Sequence, residues 1–177
     1  QELLEKTPLA HVIPDDRAPY AEVVINNLAG NKMDYYLKRE IEYVADGCDG
    51  ETRMSTVTVR LTNAVPDSVI PMLPDNAAGT SGLDPALPFT FPKGTMVSSV
   101  RLLATKDAEV VSLLSNGERG VFFEATERGH PGFEVQVAIP PGKSGELSFR
   151  LSEPTAPGTP RVPVQPLVDN VIPVVSV

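Results

Sequence analysis

The chain has 177 residues, 41% of them apolar, enough for one medium domain with a real core. Its formal charge of -8 and pI near 4.7 give no basic footprint, which makes nucleic acid and anionic membrane surfaces poor partners. No apolar run approaches the roughly 18 residues of a membrane span, so no membrane contact by these residues themselves is expected.

Eighteen prolines favour an all-β chain with stiff connections, because proline breaks helices and is tolerated at turns and strand ends. The chain opens at Gln1 without Met or a signal-peptide pattern and reads as a fragment. QELLEKT, with paired leucines among charges and a stop at Pro8, reads as the tail of a helix whose body lies upstream. PLAHVIPDDRAPY is a proline-punctuated loop, and AEVVINN is a short apolar strand. LAGN supplies the glycine and asparagine of a tight turn.

DYYLKREIEYV fits two periods. As a helix, Met33, Leu37, Ile41 and Val44 line up; as a strand, Tyr35, Leu37, Ile41 and Tyr43 share one face against Asp34, Lys38, Glu40 and Glu42. Only Arg39 spoils the alternation. The following turn cluster ADGCDGE and the alternating run RMSTVTVRLTN select a strand over residues 35–43 and a β-hairpin. Residues 64–93, rich in Pro, Gly, Ser and Asp, form too long a loop to be idle, so part of it should pack on the sheet or host function.

Strands return in TMVSSVRLLA, EVVSLL, GVFFEA, FEVQVAI and ELSFRLS. About eight strands separated by such turns predict a mainly β fold, an antiparallel β-sandwich of immunoglobulin-like or similar two-sheet architecture. Val57, Val59, Leu61, Val135, Val137, Ile139, Leu147, Phe149 and Leu151 should face its core. The expected organisation is a linker and helix end over residues 1–20, the sandwich over 21–152, and a Pro/Val-rich arm over 153–177 packing on the domain.

Motifs of chemistry are absent. PGKSG lacks the first glycine of a phosphate loop, since Val137 stands there, and no helix pattern follows. His11 and His130 lie beside turn residues and read as loop histidines, far from any zinc ligand pattern. Neither GTSG nor GKSG matches a serine nucleophile elbow. Asp46, Asp49 and Glu51 miss the calcium-loop spacing. No metal, cofactor or catalytic residue is therefore expected, although a carboxylate pair that meets only in space leaves no sequence signature.

NNLAGNKMDYYLKREIEYV, the Cys48 turn and STVTVRLTNAVP resemble the actinobacterial domain-of-unknown-function 4012 family, most sharply over residues 21–66. QELLEKTPLAHVIPDD resembles that family's helix-to-sheet junction. The resemblance implies the β-rich C-terminal part of an extracytoplasmic protein, anchored through an N-terminal transmembrane segment that lies outside these residues. It also implies a cell-envelope setting near surface-polysaccharide genes, and it transfers no catalytic residue.

On this reading the chain is a non-catalytic envelope module that binds or scaffolds a surface polysaccharide or a partner protein. The alternative is an envelope polysaccharide-modifying enzyme using a carboxylate pair. Gly30, Asn31 and Lys32, at the end of a rigid sandwich, together with Tyr36 as a stacking surface, are the candidate ligand-binding residues. Cys48, the single cysteine, should be accessible in its turn, free or paired with an upstream cysteine.

Overall fold

The computed structural model describes residues 12–80 and 82–177, apart from the side chains of Cys48 and Asp49. The expected helix tail at QELLEKT and His11 lie outside the described residues, and the accessibility expected of Cys48 rests on a side chain outside them too.

Ten strands are formed among the described residues: β1 (Ala21–Asn27), β2 (Leu37–Asp49), β3 (Thr52–Asn63), β4 (Met96–Ala104), β5 (Glu109–Ser115), β6 (Glu118–Arg119), β7 (Phe123–Glu127), β8 (His130–Ile139), β9 (Ser144–Pro154) and β10 (Val174–Ser176). They make a four-stranded sheet in the order β1-β4-β8-β7 and a six-stranded sheet in the order β10-β2-β3-β9-β5-β6. Every pairing is antiparallel except that of β10 with β2. The protein is thus a mainly β, two-sheet sandwich.

Period-two alternation builds the core between the sheets. Ile41, Tyr43, Val57, Val59, Leu61, Leu147, Phe149 and Leu151 face inward from one sheet, and Val23, Ile25, Val100, Leu102, Phe133, Val135 and Ile139 from the other. Each such side chain contributes about 1.5–3 kcal/mol on burial. All nine expected core residues pack here; Val137 alone is half-buried, lying against the margin of the cluster.

Three local expectations are corrected. Residues 35 and 36 are not in the strand: Met33–Tyr36 form a 3-10 turn, and β2 begins at Leu37. Burying Met33 in the core closes this turn, so Tyr35 projects outward at 66% exposure while Tyr36 packs on the core. Secondly, β2 continues through the glycine- and aspartate-rich stretch, with a bulge between Ala45 and Cys48. The bulge absorbs an extra residue, so Cys48 lies on the strand opposite Arg53, and the turn shrinks to Gly50 and Glu51. Thirdly, His130 is no loop residue; it opens β8 fully buried, its ring nitrogens 2.7 Å from the Ala104 oxygen and 2.9 Å from the Pro14 oxygen.

Past β9, residues 155–177 run along one lateral side of the sandwich. Prolines 154, 157, 160, 163 and 166 recur every third residue, the period of a polyproline II helix, and they lack the N–H groups of a regular ladder. Isolated bridges pair Tyr20 with Arg161 and Val23 with Val164. The Gln165 side chain then acts as a surrogate strand: its Oε1 accepts from Ile25 N at 2.9 Å, and its Nε2 donates to Ile25 O at 3.2 Å.

Candidate functional site: a polar sheet face beside the arm

The residues of β2, β3 and β9 that alternate with the core line the outer face of the six-stranded sheet. Register sets Glu40, Arg60 and Glu146 in one row and Glu42, Thr58 and Ser148 in the next. Arg60 spans its row, donating from Nη1 to Glu40 at 3.2 Å and from Nη2 to Glu146 at 2.5 Å. The Glu146 hydrogen bond and charge, reinforced by Glu40, raise the already high guanidinium pKa.

Parallel pairing of β10 brings Val174 beside Glu42. Val174 becomes the wall of a depression of about 160 Å³ whose floor is Glu40, Ile41, Glu42, Thr58 and Arg60. The Glu42 carboxylate has no hydrogen-bond or ion-pair partner among the described residues, and the Thr58 hydroxyl can donate or accept. An acceptor, a hydroxyl and an aliphatic wall suit hydroxyl, amide or amine groups on an extended ligand. Among the described residues, no group of three or more His, Cys, Asp or Glu side chains is placed to hold a metal ion.

Two carboxylates in one depression also invite an acid–base reading, which requires a carboxyl held above its ordinary range. Two aspartates outside this depression are held below their ordinary range. Asp15 is lowered by its hydrogen bond and charge pairing with Lys106, and Asp16 by the Ala18 amide and then by Arg161.

The predicted ligand residues lie within the β1–β2 connection, and the structure uses most of them internally. Gly30 takes φ of +68°, where an L side chain is strained. Its approach to Gly82 is close, and the Gly82 amide donates to Ala29 O at 2.9 Å. Asn31 is only 6% exposed. Its Nδ2 donates to Gly79 O at 2.8 Å and Thr95 O at 3.3 Å, and its Oδ1 accepts from Met33 N and from Asn27 Nδ2. Asn31 is therefore not presented to a ligand; it staples residues 64–93 onto the sandwich. Asn63 acts alike, donating to Gly94 O at 2.8 Å and Ile139 O at 3.0 Å. Lys32 is exposed, but its backbone amide is bound by Ala77 O. Tyr36 packs on the core, leaving Tyr35 as the outward ring, stacked edge-on against it at 5.1 Å.

A second polar cluster is interior. Glu153 is fully buried and accepts from Tyr43 Oη at 2.8 Å, from Arg53 Nη2 at 2.8 Å and from Thr105 Oγ1 at 3.1 Å. Burial, then the Glu153 charge, pushes the Tyr43 phenol well above its ordinary range. Its partners satisfy one another, which makes it a structural tie between the sheets. Sequence alternation alone marks Glu40, Glu42, Thr58 and Arg60 as a polar face; the wall at Val174 had no local signal.

No model of a known protein family matches the chain, and no curated protein matches it. Among solved structures, it is similar to a Legionella pneumophila protein described as a "putative nutrient binding protein", at 6% identity and a TM-score of 0.41. The alignment covers 77% of this chain and 43% of that one, so the chain spans less than half of its neighbour's length. At that score the likeness carries no functional argument.

Proposed function

We propose that this chain is a non-catalytic, extracytoplasmic cell-envelope module that holds a surface polysaccharide on the outer face of its six-stranded sheet, carried on a membrane-anchored protein of the domain-of-unknown-function 4012 type. The observation that supports it most is the depression at Glu40, Glu42, Thr58, Arg60 and Val174. It is shallow and open, set on a flat face of hydroxyls and paired charges, as suits a chain laid across a surface. Thr58 and Glu42 supply a hydroxyl and a free acceptor, and Val174 supplies the apolar contact that a pyranose C–H face takes. Arg60, clamped by two carboxylates, holds the floor rigid.

Calorimetry with envelope polysaccharide fragments tests the reading. Wild type should bind, and Glu42→Gln with Thr58→Ala should weaken binding about tenfold or more, the loss of two hydrogen bonds. Binding unchanged in that variant, or absent in the wild type, defeats it. Co-occurrence of Glu40 and Glu42 in one depression favours a second reading, a polysaccharide-modifying enzyme. Release of reducing ends that disappears in both Glu40→Gln and Glu42→Gln would establish the enzyme in place of the module.

A further inference from the structure

β7 is the outermost strand of the four-stranded sheet, and all five of its residues, Phe123 to Glu127, are exposed. It joins β8 through a two-residue turn at Arg128 and Gly129, both with positive φ, 51° and 81°. Such a turn closes on a pair that exchanges both backbone hydrogen bonds, here Glu127 with His130. Alternation then makes Ala125–Gly132 and Phe123–Glu134 the bonded pairs. The amides and carbonyls of Glu124 and Thr126 therefore point away from β8, toward an edge that no described residue pairs with. Pro131 stands opposite Thr126, a position where its missing N–H costs this ladder nothing.

We propose that this edge is a docking strip for an extended segment of a partner protein, which adds to the sheet as a further strand beside β7. The strip selects the chemistry of its occupant. β7 carries Glu124 and Glu127 and no cation. Arg101 lies 3.5 Å from Glu127, while Glu124 has no ion-pair partner among the described residues. Apolar contact comes from Phe123 at 68% exposure, next to Val121 at 83%. The complementary strand alternates apolar side chains, to cover Phe123 on one face, with lysine or arginine opposite Glu124 on the other. A second copy is the poorer occupant, since β7 against β7 sets carboxylates near carboxylates on two chains that each carry a net charge of -8.

The probes are two fluorescent, end-capped peptides of about ten residues, one alternating valine and lysine, the other valine and glutamate. Anisotropy should show the lysine peptide binding the wild-type chain at least about tenfold more tightly than the glutamate peptide, with the difference narrowing as salt rises. Thr126→Pro removes an outward donor without touching the β7–β8 ladder. It should abolish binding while leaving the thermal midpoint within about 2 °C. Should that variant fail to fold, Glu124→Lys serves instead and should shift preference toward the glutamate peptide. Equal binding by Thr126→Pro, equal binding of both peptides, or no binding of either overturns the proposal. So does concentration-dependent dimerisation of the wild type that Thr126→Pro removes, since the occupant is then a second copy.

Discussion

The two lateral sides of the sandwich protect their edges by different means. On one side β1 and β2 are covered by the arm: Arg161 and Gln165 occupy the edge of β1, Asp169 that of β2, and β10 completes it. On the other side no described residue pairs with the outer edge of β7, whose shortness and glutamates discourage pairing. Covering an edge ties it to global stability, because the buried partners must separate before the strand opens. Guarding an edge by charge leaves it accessible and nearly free of stability consequences. The same fold thus keeps one side closed for architecture and one side open for contact.

Breaking the closed side should have the largest effect. Arg39 has a fully buried side chain, and its Nε and Nη2 reach Asp169 at 2.9 and 2.5 Å while its backbone amide donates to the same carboxylate. Asp169→Ala strands that guanidinium and should cost about 3–5 kcal/mol in urea unfolding. Arg39→Met combined with Asp169→Leu should recover most of the loss, because no charge is then left buried. A cost of Asp169→Ala below about 1 kcal/mol would show that the arm is not held by this pair.

Gln165→Ala should cost less, about 1–3 kcal/mol for the two backbone groups of Ile25 that it satisfies. Amide exchange at Ile25 should quicken selectively; exchange that is unaffected there would place the closure of β1 in Arg161 alone.

Alkaline titration probes the Tyr20 end of that side and the interior Glu153 cluster. Burial, then Glu22, raises the Tyr20 phenol beside the Arg161 bridge, and burial with Glu153 raises Tyr43. In the unfolded chain both ionise near 10.0, whereas the folded chain keeps them protonated. Their contribution is therefore complete below pH 10 and declines as pH rises above it. Tyr20→Phe should make the decline shallower, and an unchanged slope in pH-dependent unfolding would contradict the linkage.

The smallest effect belongs to the open side. Phe123→Ser should alter stability by no more than about 0.5 kcal/mol, because the ring is already in water. A drop above about 2 kcal/mol would mean that β7 is as integral as the arm, and the contrast would fail.

Much of the sandwich was legible because strand alternation is a local property. Val57, Val59 and Leu61 announce their face within five residues, and Leu147, Phe149 and Leu151 do the same. The eight apolar runs found their strands, while β6 and the three-residue β10 are too short for a period to show. Arg39 was visible as the one break in its strand's pattern, but nothing nearby explained it. Its partner lies 130 residues away, brought there by an arm that crosses from one sheet to the other.

The candidate sites divide in the same way. Composition and period two determined a mainly β chain, its core faces and the polar outer row of Glu40, Glu42, Thr58 and Arg60. Tertiary structure alone decided that Asn31 turns inward to bind Gly79 and Thr95, that His130 is buried, and that Val174 walls a depression over Glu42. Alternation specifies on which side of its own strand a residue stands. Whether that side meets solvent, a backbone carbonyl or a buried charge depends on which distant segment crosses it, and that choice is made when the sheets close.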